Sequence, residues 1–247
     1  MTIELINLVK RFGGHPVLDG VNLTIRGGET MVIIGRSGCG KSVLLKHIIG
    51  LMRPDEGQVL VDGEEISRLE GSALAKLRLR LAMLFQGAAL FDSLTVGENV
   101  AFPLVEHSAL SEDQITARVK ECLKRVGLEG TDRMKPAELS GGMRKRAGLA
   151  RAIALEPRVI LYDEPTTGID PIMADSINHL IVGLRDRMKV TGVVVTHDMV
   201  SAYKVGDRIA MLHEGRIAQV GTVSEIRSTQ NPVVKQFILG MADNGGG

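Results

Sequence analysis

The chain has 247 residues, of which 44% are hydrophobic and 24% charged, and its formal net charge is +1. These proportions suit a soluble globular fold, and the near-neutral balance lacks the basic excess of a nucleic-acid binder, so no nucleic-acid partner is expected. With no Trp, two Tyr and five Phe, stacking platforms for single strands or sugars are not expected either.

In chain order, Ile3 to Val9 is a short apolar run that predicts a strand, followed by a turn carrying Gly13, Gly14 and Pro16. Leu18 to Ile25 alternates apolar and polar residues, the period of a half-buried strand. Thr30 to Gly35 is continuously apolar, as in a strand covered on both faces, and a Gly-rich loop and a helix follow it. Gln58 to Gly63 predicts a strand entering a turn, and Leu81 to Phe85 a buried strand ending at Gln86. From Gly87 to about Pro157 the apolar spacing is helical, with breaks predicted at Pro103, Gly127 and Pro136. VILYDE, VVVTH, RIAMLH and RIAQVG then read as short strands. Asn231 to Met241 predicts a short amphipathic helix with Asn231 as N-cap, Pro232 in its first position, Gly240 at its stop, and Val233, Val234, Phe237 and Ile238 on one face. Gly245, Gly246 and Gly247 read as a frayed end.

Strand–loop–helix alternation implies a parallel sheet with crossover helices. Cys39 and Cys122 form no C-x-x-C pair, so neither a zinc site nor a disulfide framework is expected, and the default compartment is reducing. The first residues lack a signal-peptide pattern, since Glu4 interrupts a short apolar stretch. No window approaches the roughly 18 apolar residues of a membrane helix, so any membrane role is expected to require docking onto another subunit.

Gly35, Arg36, Ser37, Gly38, Cys39, Gly40, Lys41 and Ser42 match G-x-x-x-x-G-K-[ST] between a strand and a helix, with Val43 next in that helix. Glycines let backbone N–H groups curl around a phosphate, and the helix that follows points its positive end at the same anion. Lys41 offers a charge to the β- and γ-phosphates of ATP, and the Ser42 hydroxyl a ligand to Mg²⁺. Cys39 reads as a small space-filling side chain. Val159 to Pro165 is an apolar strand ending in two acids. Asp163 is placed to hold Mg²⁺, directly or through its waters, and Glu164 to take a proton from an attacking water. About 20 residues upstream, Ser140, Gly141 and Gly142 stand ahead of a helical run, a second anion-binding helix start. Two phosphate grips in one chain are most simply reconciled by a head-to-tail pair, each ATP clamped between the Lys41 loop of one copy and the Ser140 loop of the other. The run Arg144, Lys145, Arg146 reads most simply as a solvated helix face, and alternatively as a source of positive potential near the partner's ATP.

With these motifs in this order, the chain resembles the ABC ATPase family. The resemblance makes LSGGM (Leu139 to Met143) the signature motif, Phe12 the adenine-stacking aromatic, Gln86 the Q-loop glutamine with access to Mg²⁺, Thr166 to Asp170 the D-loop with Asp170 beside nucleotide, and His197 the switch histidine. It implies an α/β fold: a P-loop NTPase core with a mixed, mainly parallel sheet, an antiparallel β subdomain and an inserted α-helical subdomain. The core and β subdomain would comprise 1–86 and 158–228, the helical signature subdomain 87–157, and the C-terminal helix and tail 229–247. Departures are mild: Met143 and Arg144 stand where many importers have glutamines, Thr167 and Ile169 where Ser or Ala and Leu are commoner, and Phe12 replaces Tyr.

Phe85 to Leu104 and Leu139 to Ile172 are most similar to the ATPases of Mla-type, MCE-associated phospholipid transporters. That resemblance implies ATP hydrolysis by two copies beneath permease subunits on the cytoplasmic face of the inner membrane. A periplasmic MCE ring and a small STAS-domain subunit would complete the assembly, and phospholipid would be the cargo. Leu90, Phe91, Leu94, Val96 and Phe102 would either offer the permease an apolar surface or fill the core of the helical subdomain. The C-terminal helix would either pack on its own domain or reach the neighbouring ATPase. An importer ATPase for polar solutes is the alternative, and a soluble ABC ATPase is disfavoured by a single motif set without a long heptad insert. A non-hydrolysing subunit is disfavoured by intact Lys41, Glu164 and His197.

Overall fold

The computed structural model describes residues 1–241, so the sequence reading of Gly245 to Gly247 lies outside the described residues. The elements are β1 (Ile3–Phe12), β2 (His15–Ile25), β3 (Thr30–Ile34), α1 (Lys41–Ile48), β4 (Glu56–Val61), β5 (Glu64–Glu65), α2 (Gly71–Arg78), β6 (Leu81–Leu84), α3 (Val96–His107), α4 (Glu112–Arg125), α5 (Gly141–Ile153), β7 (Val159–Asp163), α6 (Pro171–Met188), β8 (Thr191–Thr196), α7 (Met199–Val205), β9 (Arg208–His213), β10 (Arg216–Thr222), α8 (Val223–Arg227) and α9 (Pro232–Ile238). They group into two compact units, Met1–Arg68 with the chain from Val193 onward, and Leu69–Gly192.

In the first unit, β1 and β2 form an antiparallel hairpin pairing Phe12 with His15. Gly13 and Gly14 connect them, both at positive φ (55° and 82°), the two-residue turn whose twist matches the strands. Pro16 therefore lies inside β2 rather than in the turn. With β4 and β5 the hairpin makes a four-stranded sheet in the order β2-β1-β4-β5, the antiparallel part expected from sequence. The second sheet of this unit runs β10-β9-β3-β8. Here β3 is fully buried and parallel to β9, and β10 pairs antiparallel with β9. The terminal helix α9 starts where the sequence places it. Asn Oδ1 of residue 231 accepts from the N–H groups of Val233 and Val234. The helix packs on its own unit through fully buried Val234, while Leu239 and Met241 are exposed.

In the second unit β6 and β7 run parallel, with Leu84 opposite Tyr162. Two helices, α3 and α4, follow from their caps and apolar stripes. Thr95 and Glu98 form a capping box on α3, and Ser111 and Gln114 form another on α4. Gly127, at φ 70°, terminates α4 with its N–H on the Lys124 carbonyl. The break predicted at Pro103 is overturned, because Pro103 lies inside α3. Proline removes one helical hydrogen bond there. The buried stripe Val96, Val100, Leu104 holds the helix on through His107. Sequence reasoning passed over α2, whose eight residues bury only Leu77 and so show little periodicity.

Candidate functional site

Each unit contributes a distinct set of the predicted residues. In the first, the loop from Gly35 to Gly40 leaves β3 and enters α1. A Cβ on Gly35 would fall 2.4 Å from the Leu212 carbonyl oxygen and 2.7 Å from Cys39 Sγ, so the loop closes only with glycine there. Gly38 and Gly40 adopt φ of 80° and 103°, the left-handed backbone from which phosphate-binding loops are built. Lys41 is buried and folds back over this loop, its Nζ donating to the carbonyls of Gly35 (2.8 Å) and Arg36 (3.1 Å). Arg36, Ser37 and Gly38 are exposed, Cys39, Ser42 and Val43 half-buried. Phe12 ends β1 with 46% of its surface exposed, an available aromatic face that also carries Lys10 Nζ 5.8 Å from its centroid. His197 is exposed directly after β8. Asp198 beside it caps α7, accepting from Val200 N and Ser201 N, which fixes the turn that presents the imidazole.

In the second unit, β7 ends in Asp163 and Glu164 follows it, both buried with 8% of their surface exposed. Glu164 sits at φ 47°, an uncommon conformation for a residue with a Cβ. The Thr167 hydroxyl donates to Glu164 Oε2 (2.9 Å), so the D-loop threonine that departs from the family pattern orients the carboxylate. Gln86 is exposed after β6, and Ala88 and Ala89 that follow also lie at positive φ. Ser140 is the exposed N-cap of α5, its hydroxyl accepting from Met143 N (3.2 Å). The glycines after it make room for the D-loop side. A Cβ on Gly142 would lie 2.3 Å from Met173 Cε, and one on Gly141 3.5 Å from Ile169 Cγ2. Asp170 caps α6 by accepting from Ile172 N and Met173 N, both at 3.0 Å, with Pro171 in the first helical position.

The basic run after the signature is not a solvated face. Arg144 is exposed, but Lys145 is buried and Arg146 half-buried. Lys145 Nζ donates to the carbonyls of Gln86 and Glu164, each at 3.1 Å, and burial pulls its pKa down against the opposing pull of Glu164 and Asp163. Arg146 donates to Val126 O (2.9 Å) and Ser176 Oγ (2.5 Å). Helical position alone could have flagged Lys145: the pattern Gly142, Lys145, Leu149 falls on the inward stripe of α5.

An apolar groove of about 720 Å³ opens in the same unit, lined by Leu79, Met83, Phe85, Phe91, Phe102, Pro103 and Arg151 among others. The rings of Phe91 and Phe102 lie 5.0 Å apart and are 45% and 42% exposed. Two of the five residues assigned to this surface from sequence therefore line it. Val96 does not, because it is wholly buried on the inner stripe of α3. Sequence reasoning missed Asn99, also wholly buried, which clamps the preceding loop: Oδ1 accepts from Phe91 N (2.8 Å), and Nδ2 donates to the carbonyls of Phe91 (3.1 Å) and Thr95 (2.9 Å).

Residues 18–167 match the family model described as "ABC transporter". The chain belongs to the ABC transporter family, as one of its ATPase subunits. This ABC ATPase is 41% identical over 240 residues to the "Probable ribonucleotide transport ATP-binding protein mkl" of Mycobacterium tuberculosis, covering 97% of this chain and 67% of that one. It is 41% identical over 241 residues to the "Intermembrane phospholipid transport system ATP-binding protein MlaF" of Haemophilus influenzae, covering 98% of this chain and 91% of that one. Among solved structures, an ATP-binding cassette in a dimeric post-hydrolysis state with ADP and Pi matches with TM-score 0.83 and 36% identity, covering 90% of this chain and 98% of that one. The P-loop core, mixed sheets and helical segment expected of an ABC ATPase are all present.

Proposed function

We propose that this ATPase works as a pair of copies that bind and hydrolyse ATP to drive phospholipid movement between membranes. The observation that carries the cargo is its 41% sequence identity to the Haemophilus influenzae phospholipid-transport ATPase over nearly the whole of both chains. The solved cassette described as dimeric, with ADP and Pi, supports pairing around nucleotide. The candidate site residues then have these chemical tasks. Phe12 stacks on adenine, and Gly35 to Val43 wrap the phosphates. Lys41 binds the β- and γ-phosphates, and Ser140 to Gly142 of the second copy grip the γ-phosphate. Glu164 accepts the proton of the attacking water, with Asp170, Gln86 and His197 completing the reaction environment.

Mg²⁺ would be held by Ser42, Asp163 and Gln86. This oxygen donor set with a single carboxylate fits an ion that keeps its waters and the nucleotide's phosphates as its other ligands. When bound it neutralises charge developing on those phosphates. Among the described residues, no group of three or more His, Cys, Asp or Glu side chains forms an all-protein metal cage.

Among the described residues, no helix is long and apolar enough to cross a membrane. A peripheral position on the inner membrane therefore depends on permease subunits, for which the Phe91–Phe102 groove is the docking surface in this reading. The helical segment 87–157 is the part that would transmit nucleotide state to that groove. An MCE ring and a STAS-domain subunit are the further partners that the resemblance implies. A second reading, an importer for a polar solute, is favoured by the name of the mycobacterial relative. Purification of the complex from detergent-solubilised membrane, with extraction of bound lipid, decides between them. Co-purifying permease and phospholipid support the first reading, and a complex free of lipid that binds ribonucleotide cargo overturns it.

A further inference from the structure

We propose that Lys145 is a positioning residue for ATP hydrolysis, a clamp that ties the backbones of Gln86 and Glu164 to the helix bearing the signature serine. The inference rests on reading Glu164 as the base. The register of the sheet explains why one amine reaches both residues. Leu84 and Tyr162 are partners on the parallel strands β6 and β7. Gln86 and Glu164 each lie two residues further on, so their carbonyls emerge side by side. Lys145 stands on α5 five positions after Ser140, is only 6% exposed, and donates to both carbonyls at 3.1 Å.

A lysine is an expensive choice for so buried a place, since desolvating an ammonium ion costs far more than burying an apolar side chain. What it holds is irregular backbone, braced otherwise by single turn hydrogen bonds from Thr167 N to Glu164 O (3.3 Å) and from Ala88 N to Phe85 O (2.8 Å). Glu164 lies at φ 47°, and Ala88 and Ala89, just past Gln86, at 61° and 49°. Side chains with a Cβ persist in this region only where surrounding contacts over-determine them. The same helix supplies a second brace: Arg151 donates to the carbonyls of Ala89 (2.7 Å) and Ala88 (2.9 Å). Two cations on one helix thus fix both turns that follow β6 and β7. Movement of α5 is transmitted through Lys145 to the residue that takes the proton. With the amine removed, Glu164 keeps the Thr167 contacts to its carboxylate and carbonyl but loses the donor that ties its main chain to α5. The step affected is chemistry rather than nucleotide capture, because a small misplacement of a reacting group costs rate far more than affinity.

The test compares Lys145→Met, Lys145→Arg and Glu164→Gln in the purified full-length ATPase, using steady-state hydrolysis and fluorescent-ATP titration. Lys145→Met keeps the length of the side chain without the donors, and Lys145→Arg keeps cation and donors. The proposal predicts that Lys145→Met lowers kcat about 10- to 100-fold while ATP affinity stays within about twofold, and that Lys145→Arg recovers kcat to within about threefold of wild type. A Lys145→Met kcat equal to wild type overturns it. So does a joint loss of kcat, affinity and thermal stability that Lys145→Arg does not rescue, because that pattern belongs to a merely structural lysine. Should Lys145→Met fail to fold, Lys145→Gln, with a shorter donor, carries the test: lowered kcat at unchanged affinity supports the clamp, and unchanged kcat overturns it. Wild-type hydrolysis by Glu164→Gln would instead remove the base assignment itself, which separates failure of that reading from failure of the clamp.

Discussion

Asn99→Ala should destabilise the ATPase by about 2–3 kcal/mol. The side chain is wholly buried and makes three hydrogen bonds of 2.8–3.1 Å, two to Phe91 in the preceding loop and one to the Thr95 carbonyl at the start of its own helix. At about 1 kcal/mol net for each, the loss is about 3 kcal/mol. Alanine returns about 0.5 kcal/mol through its higher helix propensity within α3. For a chain of this size that range corresponds to a fall of about 4–12 °C in Tm. Thermal unfolding followed by circular dichroism on the isolated ATPase measures it. ATP affinity should not change, because Asn99 contacts only the loop and its own helix turn. A fall in Tm below about 2 °C, less than one hydrogen bond is worth, would refute the clamp assigned to Asn99.

Lys41→Ala should weaken fluorescent-ATP binding about 10- to 100-fold, the loss of one charge-assisted phosphate contact, and unchanged affinity would show that the loop is not the ATP site. Maleimide at neutral pH should label Cys39 and spare Cys122, whose thiol is pushed up to about 11 by burial and so stays protonated there. Mg-ATP should then protect Cys39, and labelling indifferent to nucleotide would contradict an occupied loop. Gly148→Val should cost about 1–3 kcal/mol in urea unfolding, because even a Cβ there lies 3.0 Å from Leu84 Cδ1 and 3.2 Å from the Ala88 carbonyl oxygen.

Strands were legible in the sequence wherever burial was complete or alternating, as in β2, β3 and β7, because one-sided or two-sided covering leaves a period in the residues themselves. The phosphate loop was legible for the same kind of reason: its conformation admits few residue types, as Gly35 shows by its approach to the Leu212 carbonyl. Pro103 misled because local propensity was outweighed by a buried stripe that only packing reveals. Lys145 and Arg146 misled because charge reads as exposure, whereas carbonyls from distant parts of the chain receive both side chains. Asn99 was invisible because its partners are main-chain groups, which carry no sequence signal. Asp170 was placed with nucleotide by resemblance, and its capping of α6 emerges only from the backbone N–H groups around it.

In the proposed cycle two copies close on ATP, and Glu164 is needed to reopen them. Size-exclusion chromatography with light scattering on Glu164→Gln, with and without Mg-ATP, tests it most directly. The amide keeps the shape of the carboxylate but accepts no proton, so turnover should fall about 10²- to 10⁴-fold while binding persists. A stable two-chain species that forms only with ATP and retains it unhydrolysed is expected. A variant that stays at one chain's mass while hydrolysing ATP at the wild-type rate would contradict it.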